Sequence, residues 1–140
     1  DNFDNNSSHM IPAVIKKIHE AKKNKLKFVD IWGDGLARRE FMYASDLADF
    51  IYFAIKSFNE MPQNINVGIG KDHSINEYYN KIANIIGFKG EFKNDLSKPI
   101  GMKKKLISIQ KLKEFGWKHK TSIEDGIKKT YEYYLKMEEK

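Results

Sequence analysis

Apolar residues return at helical spacing in several stretches of the chain. The first stretch follows Ser7 and Ser8, either of which can cap a helix, and it predicts a helix over residues 9–24. Pro12 falls in the first turn, where its missing N–H is tolerated. The positions of this helix that the spacing predicts to be apolar and inward are Ile11, Val14, Ile15 and Ile18.

Three further helices are predicted from capping residues and the apolar stripes behind them. Ser45 is predicted to cap the second helix, Ser74 forms a capping box with Glu77, and Ser122 forms another with Asp125. The apolar positions of these helices are Leu47, Ile51, Ala54, Ile55 and Phe58; then Ile75, Tyr78, Ile82 and Ile85; and lastly Ile123, Ile127, Tyr131, Tyr134 and Leu135.

Strands are predicted where apolar and polar residues alternate among β-forming types. The segment "LKFVDIW" is one such stretch, and shorter ones are "REFMY", "NINVG" and "EFKND". Gly87 is expected to end the third helix, and Gly116 a short helix over residues 108–115. Short strands between long helices predict a mixed α/β fold.

The composition fits one globular domain over residues 1–140. Hydrophobic residues make up 41% of the chain, and no apolar run reaches the roughly 18 residues of a membrane span. The chain has no cysteine, and its histidines lack the close pairs of zinc motifs, so we expect no metal site. No signal-peptide pattern opens the sequence, so we expect a cytoplasmic protein. The net charge of +6 is compatible with an anionic partner but does not identify which one.

The two arginines of the chain, Arg38 and Arg39, stand side by side after the glycine turn of "WGDGLARREF". Successive strand residues face opposite ways, so only one arginine can point at a site beside Trp32. A guanidinium matches phosphate oxygens, and an indole offers a stacking face, so the set could hold a nucleotide diphosphate. The alternative is a surface turn with solvated arginines.

Other candidate residues carry weaker signals. His9 stands where the first helix begins, as a proton donor or as an ordinary first-turn side chain. The lysine run before Leu106 is typical of a solvated face. Tyr52 and Lys56 have the Tyr-x-x-x-Lys spacing of dehydrogenase catalysis, which we interpret as chance. Neither "GIGKD" nor "GDG" is a dinucleotide fingerprint, so no motif predicts an NADP site.

Several segments, in order, resemble the C-terminal part of the GDP-L-fucose synthase group of extended short-chain dehydrogenases/reductases. They are "SSHMIPAVIKKIHEAK", "IWGDGLARREFMYASDLA", "INVGIGKDHSINE", "LSKPIGMKKKL" and "FGWKHKTSIEDGIKKTYEYY". Family members begin with a Rossmann half that carries a glycine-rich loop and a catalytic Tyr-x-x-x-Lys set, and this sequence has neither at the matching positions. The resemblance therefore implies a small mixed substrate-binding domain, with the Rossmann half absent and this chain alone inactive.

The resemblance implies an NADPH-dependent conversion of GDP-4-keto-6-deoxy-mannose to GDP-L-fucose. The C3 and C5 centres are epimerised, and hydride then reduces the C4 ketone. NADPH is expected to bind mainly to the absent half, through which the parent enzyme is expected to form a homodimer. One alternative is a related reductase or epimerase of another GDP-sugar, such as a deoxy-heptose. A basic nucleic-acid-binding module is a remote alternative, because the lysines are scattered and no aromatic-basic strand platform is evident.

The resemblance also assigns roles to individual residues. His9 takes the place of the family's catalytic acid, which lies near the nicotinamide, so it is expected to contact the cofactor as well. The implied GDP-sugar contacts are Met10, Val14, Lys17, Trp32, Arg39 and Lys105. Arg39 is expected to grip the diphosphate beside Trp32, with Lys105 closing from the other side. Arg38 is expected to face solvent.

Overall fold

The computed structural model describes residues 2–4 and 7–139. The helices are α1 (Met10–Lys23), α2 (Ala44–Lys56), α3 (Ile75–Ile86), α4 (Gln110–Glu114) and α5 (Ile123–Glu138). The strands are β1 (Phe28–Trp32), β2 (Arg38–Arg39), β3 (His73–Ser74), β4 (Glu91–Asp95) and β5 (Lys104–Lys105), and a 3₁₀ turn covers Phe58–Glu60. The mixed α/β class predicted from the sequence is confirmed. Within the described ranges, no helix is both long and apolar enough to cross a bilayer.

The strands form two small sheets. β1 and β4 pair in parallel, with Val29 opposite Phe92. In the second sheet β2 is central, antiparallel to β3 and parallel to β5. Because β2 has only two residues, it presents one side chain to each face of its sheet. Arg38 and Arg39 therefore project to opposite sides.

Two hydrophobic clusters support these sheets. The larger one packs α1, α3 and α5 against β1 and β4, and Ile15, Ile18 and Ile82 at its centre are fully buried. The smaller one joins α2 to α4 around Leu112 and Trp117. The larger cluster fixes α1 against the end of β1, where the candidate site lies.

The predicted capping box of α3 is confirmed. Ser74 Oγ accepts a hydrogen bond from the Glu77 N–H at 3.1 Å, and the Glu77 carboxylate accepts one from the Ser74 N–H at 2.6 Å. These bonds lower the pKa of Glu77 below its usual range. Ser122 Oγ likewise accepts the N–H of Asp125 at 3.0 Å and caps α5. Both helices thus begin where local sequence predicted.

The caps predicted for the first two helices are wrong. His9 is the N-cap of α1 and Tyr43 that of α2, and neither side chain makes a capping hydrogen bond. Ser7 Oγ instead donates to the Asp4 carboxylate at 3.1 Å, a local bond that competes with capping. Ser45 lies inside the first turn of α2.

The face of α2 that was predicted to be buried is largely exposed. Its exposed positions, at 42–68%, are Leu47, Ile51, Ile55 and Phe58. Ala54, which belongs to the predicted set, is buried, and so is Phe50, which does not belong to it. Phe50 packs edge-on against Trp117 with ring centroids 5.4 Å apart. α2 is apolar on two sides, and periodicity alone could not tell which side packs.

The strand predicted over "NINVG" is also wrong. Ile65 and Val67 pack against the smaller cluster, but this segment pairs with no strand among the described residues. The N–H groups of Ile69 and Gly70, just beyond it, donate to the carboxylate of Glu40. The Glu40 carboxylate therefore accepts the hydrogen bonds that the carbonyl groups of a neighbouring strand would otherwise accept.

Candidate functional site

A cavity of about 1080 Å³ opens between α1, the ends of β1 and β2, and the segment 99–107. The residues to which the sequence assigned a site all line this cavity: His9, Met10, Val14, Lys17, Trp32, Arg39 and Lys105. A space of this size accommodates a nucleotide-sized ligand. The structure brings the whole set together, and the role of each residue stays a prediction.

Arg39 and Lys105 are register partners in the parallel strands β2 and β5. Register partners project from the same face, and both side chains line the cavity. Arg39 Nη1 donates to the carbonyl oxygens of Arg38 at 2.8 Å and Met102 at 2.6 Å, which fixes the guanidinium. Two cations side by side repel each other, so this arrangement favours an anion between them.

Trp32 ends β1 with 60% of its surface exposed. The next residue, Gly33, has φ 71°, and a Cβ there would lie 3.1 Å from Cγ1 of Ile100. Glycine thus lets the loop that carries Pro99 and Ile100 close against the end of β1. Lys98 Nζ lies 5.6 Å from the centroid of the indole ring. The cavity rim therefore offers an aromatic face with a cation beside it.

The helix α1 forms the opposite wall. Met10 and Val14 lie one turn apart on the same face, and Val14, at 3% exposure, contributes only a small apolar patch. Lys17 Nζ donates to the Asp30 carbonyl at 2.7 Å and to its carboxylate at 2.8 Å. The charge of Lys17 is therefore matched within the protein, whereas no carboxylate of residues 2–4 and 7–139 forms an ion pair with Arg39 or Lys105.

His9 lies at the start of α1, exposed, between two cavities. It lines the cavity described above and a second one of about 640 Å³ that reaches α5. Its carbonyl accepts the N–H of Ala13 at 3.0 Å, so the backbone of His9 is tied to the first turn of the helix. An imidazole in this position is accessible for proton exchange with a ligand.

Arg38 faces solvent only in part: its side chain is 41% exposed and is paired with Asp72, which the sequence analysis did not expect. Its Nε donates to Oδ1 of Asp72 at 2.8 Å, and Nη2 donates to the Asp72 carbonyl at 3.0 Å. The Asp72 side chain is only 9% exposed, and Lys104 Nζ lies 3.7 Å from its other oxygen. The hydrogen bond from Arg38 lowers the pKa of Asp72 below its usual range. The sequence did not show that β3 pairs with β2 and brings Asp72 to this face.

Glu40 is a cavity residue that the sequence analysis missed. One carboxylate oxygen accepts the N–H groups of Ile69 and Gly70, each at 2.6 Å. The other accepts the N–H of Ile107 at 3.2 Å. A carboxylate directly after Arg39, before an apolar pair, was a signal that could have drawn attention to it.

Other candidates lie elsewhere or form no site. Tyr52 and Lys56 are on α2, where Lys56 Nζ lies 4.4 Å from the Tyr52 ring centroid, and neither lines the cavity. Over residues 2–4 and 7–139, no three histidine, cysteine, aspartate or glutamate side chains are grouped so as to hold a metal ion. The cavity thus presents two cationic side chains, Arg39 and Lys105, with the imidazole of His9 at its edge.

Comparison with known proteins shows what the chain is similar to. The model of the NAD dependent epimerase/dehydratase family matches residues 1–70. The chain is 60% identical over 135 residues to GDP-L-colitose synthase of Yersinia pseudotuberculosis, covering 96% of this chain and 44% of that protein. It is 35% identical over 148 residues to GDP-L-fucose synthase of Escherichia coli K12, covering 100% of this chain and 46% of that protein.

The chain also resembles a solved structure. A GDP-mannoheptose C4 reductase from Campylobacter jejuni matches with a TM-score of 0.83 and 32% identity, over 96% of this chain and 48% of that one. The chain thus spans less than half the length of these relatives. The resemblance to GDP-L-fucose synthases that the sequence predicted is confirmed. Because the family model matches residues 1–70, which are half of the chain, the chain belongs to the NAD dependent epimerase/dehydratase family.

Proposed function

We propose that this chain is the sugar-nucleotide-binding half of an NADP-dependent GDP-4-keto-6-deoxy-sugar epimerase/reductase. The observation that carries this is the pair of Arg39 and Lys105, held on one face of a sheet toward a cavity rimmed by Trp32. A nucleoside diphosphate supplies both the negative charge and the flat base that this set suits. Met10 and Val14 would then pack against the nucleotide from α1.

Epimerisation beside a ketone needs an acid and a base on opposite faces of the sugar. His9 is the candidate acid of this chain, because it is exposed at the cavity mouth. NADPH, when bound, supplies the hydride that reduces the ketone. We propose that a dinucleotide-binding half outside these 140 residues provides most of its contacts, with His9 as the contact from this chain.

Lys17 has a different part in this proposal from the one the resemblance implied. Its ammonium is already held by Asp30, so it supports the cavity wall more than it neutralises a ligand. A Lys17 ammonium that reached the diphosphate would have to leave Asp30 behind with an unmatched charge. Arg39 and Lys105 therefore provide the main phosphate contacts.

A second candidate is the formation of GDP-L-colitose. The relative that carries this name is 60% identical to the chain, against 35% for GDP-L-fucose synthase of Escherichia coli. Colitose lacks the C3 hydroxyl of fucose, so product analysis of the intact parent enzyme with the two GDP-4-keto sugars separates the candidates. A GDP-heptose reductase, as among the solved structures, is a third member of the same class.

The parent enzyme is proposed to be a cytoplasmic homodimer that assembles through its dinucleotide-binding half. The chain on its own is then expected to bind GDP but to show no turnover with NADPH and a GDP-4-keto sugar. Turnover by the 140 residues alone would contradict the proposal that NADPH binds mainly to another half of the enzyme.

Calorimetric titration of GDP into the chain is the direct test, with GMP as the matched ligand that lacks the second phosphate. We expect GDP to bind more tightly than GMP, and Arg39→Lys to remove most of the difference. Titration with single-stranded RNA at two salt concentrations tests the nucleic-acid alternative. Tight RNA binding that weakens steeply with salt, without GDP binding, would overturn the proposal.

A further inference from the structure

Glu40 connects three separate segments that form one side of the cavity. It follows Arg39 directly, and its carboxylate accepts N–H groups from the turn at residues 68–70 and from Ile107. Two of these bonds are 2.6 Å long, shorter than an ordinary N–H···O bond, and an ionised acceptor shortens such bonds. The carboxylate oxygens are thus engaged by backbone donors even though they lie beside a basic site.

The backbone is shaped to admit this carboxylate. A Cβ at Gly68 would lie 2.5 Å from Oε1 of Glu40 and 2.8 Å from Cδ1 of Ile107. Gly70 has φ 69°, a conformation that favours glycine. The turn can therefore approach Glu40 and Ile107 closely only because these positions carry no side chain.

The segment that carries Lys105 has few other attachments. Residues 101–108 are all exposed, and β5 is only two residues long. Among the described residues, its other polar links include the short ladder with β2, the bond from the Arg38 N–H to the Lys103 carbonyl and the ion pair of Lys104 with Asp72. The side chain of Arg39 also bonds the Met102 carbonyl, and that of Asn66 bonds the Ser108 carbonyl. The N–H of Ile107, two residues after Lys105, is anchored by Glu40.

We propose that Glu40 is a positioning residue that holds Lys105 beside Arg39 by anchoring the backbone at Ile107. The inference rests on the proposed function, since it takes the ligand of Arg39 and Lys105 to be a nucleoside diphosphate. Glu40 does not touch the ligand in this scheme. It fixes the distance between the two cations, so that one diphosphate meets both without first ordering a mobile strand.

The positioning role and the negative charge of Glu40 predict opposite effects of Glu40→Gln on GDP affinity. A carboxylate near a bound diphosphate repels it, so by charge alone Glu40→Gln should strengthen GDP binding. Positioning predicts the reverse. Glutamine keeps one oxygen for Ile69 and Gly70 but turns an N–H₂ toward the N–H of Ile107, where a donor then meets a donor.

The experiment measures GDP affinity by calorimetry for the wild-type chain, Glu40→Gln and Glu40→Asp. We expect each variant to bind GDP about tenfold more weakly, a loss typical of one hydrogen bond to a charged group. Glu20→Gln is the matched control, because Glu20 is an exposed carboxylate on α1 that lines the same cavity. Its GDP affinity should stay the same or rise.

A double-mutant cycle with Lys105→Met separates positioning from general damage to the fold. If Glu40 acts through Lys105, Lys105→Met should weaken GDP binding about tenfold in the wild type and less than about threefold beside Glu40→Gln. Equal losses in both backgrounds would overturn the inference. Amide exchange should show faster exchange at Ile107 in Glu40→Gln, while α3 keeps its protection.

The results of these experiments can contradict the role of Glu40 without contradicting the proposed function. If the wild-type chain does not bind GDP, the proposed function fails and the inference fails with it. If the wild type binds and Glu40→Gln binds equally well or better, the inference alone fails. If Ile107 exchanges at the same rate in wild type and Glu40→Gln, the anchor is absent and the inference is overturned without any ligand.

Discussion

The guanidinium of Arg38 lies against the buried carboxylate of Asp72, on the side of β2 that faces away from the cavity. Its neighbour Arg39 faces the cavity beside Lys105. Two identical side chains at consecutive positions therefore have different surroundings, one bound to a carboxylate of the protein and the other open to an anionic ligand. Substitution of the two arginines should separate stability from binding.

Arg39→Lys should weaken GDP binding about tenfold or more, because lysine cannot present a guanidinium fork to a diphosphate. Arg38→Lys should change GDP affinity by no more than about twofold but lower the melting temperature, because it loses the bonds to Asp72. Calorimetry with GDP and thermal denaturation measure the two effects. Equal losses of affinity at both positions would mean that general positive charge, not a specific clamp, binds GDP.

The ion pair of Asp72 should make stability depend on pH in acid. The carboxyl titrates near 3.8 in an unfolded chain, and its pKa is lower in the fold because of Arg38 and then Lys104. Its stabilising contribution is therefore complete above pH 3.8 and is lost as the pH falls through the lower folded pKa. Urea denaturation of Asp72→Asn should show a stability deficit at pH 6 that shrinks below about pH 4. Glu132→Gln, on the exposed side of α5, is the control and should show no such change.

The two tryptophans should report differently on ligand binding. Trp32 is 60% exposed at the cavity rim, whereas Trp117 is 5% exposed and donates from Nε1 to Asp49 at 2.9 Å. GDP is expected to quench the emission of Trp32 by stacking on it. The quenching should persist in Trp117→Phe and disappear in Trp32→Phe, and Trp32→Ala should weaken GDP binding. Quenching that persists in Trp32→Phe would place the base elsewhere.

Gly35→Ala should destabilise the chain more than Gly116→Ala. Both glycines have positive φ, at 68° and 90°, so alanine costs roughly 1–2 kcal/mol of strain at each. A Cβ at Gly35 would also collide with the Asn76 amide, which donates to the Asp34 carbonyl at 3.2 Å, whereas at Gly116 nothing lies within 4 Å. Urea denaturation should show about 1 kcal/mol of additional loss for Gly35→Ala. Equal losses would mean that only backbone strain matters at the turn.

Features set by neighbouring residues were predictable from the sequence. The capping box of Ser74 and Glu77 is a four-residue pattern, and the strand ending at Trp32 follows from alternation over a few positions. The hydrogen bonds of the capping box join residues close in the chain, and the alternation of β1 is visible without knowledge of its partner β4. The assignment of Met10 or Val14 to the site came from family resemblance, since neither residue type indicates binding.

Features set by distant pairing were not predictable. The partner of Arg38 depends on β3 pairing with β2, and the partner of Arg39 depends on β5, which at two residues is too short to show a period. Glu40 was missed for the same reason, since its N–H donors come from two remote segments. The pattern of α2 gave two apolar sides, and the rings of Phe115 and Trp117, which follow α4, decide which one packs.

The brevity of β2 limits how the chain can vary in length. Side chains alternate along a strand, so a deletion or insertion of one residue between Trp32 and Arg38 would exchange the faces of the two arginines if the ladder with β3 and β5 re-formed. After a deletion Arg39 would meet Asp72 and Glu40 would face the cavity, whereas after an insertion Arg38 would face the cavity in place of Arg39. Relatives and engineered libraries should tolerate substitution in this turn at positions other than Gly33 and Gly35 yet keep its residue count. An aligned gap here would therefore mark a protein that binds its ligand in another way.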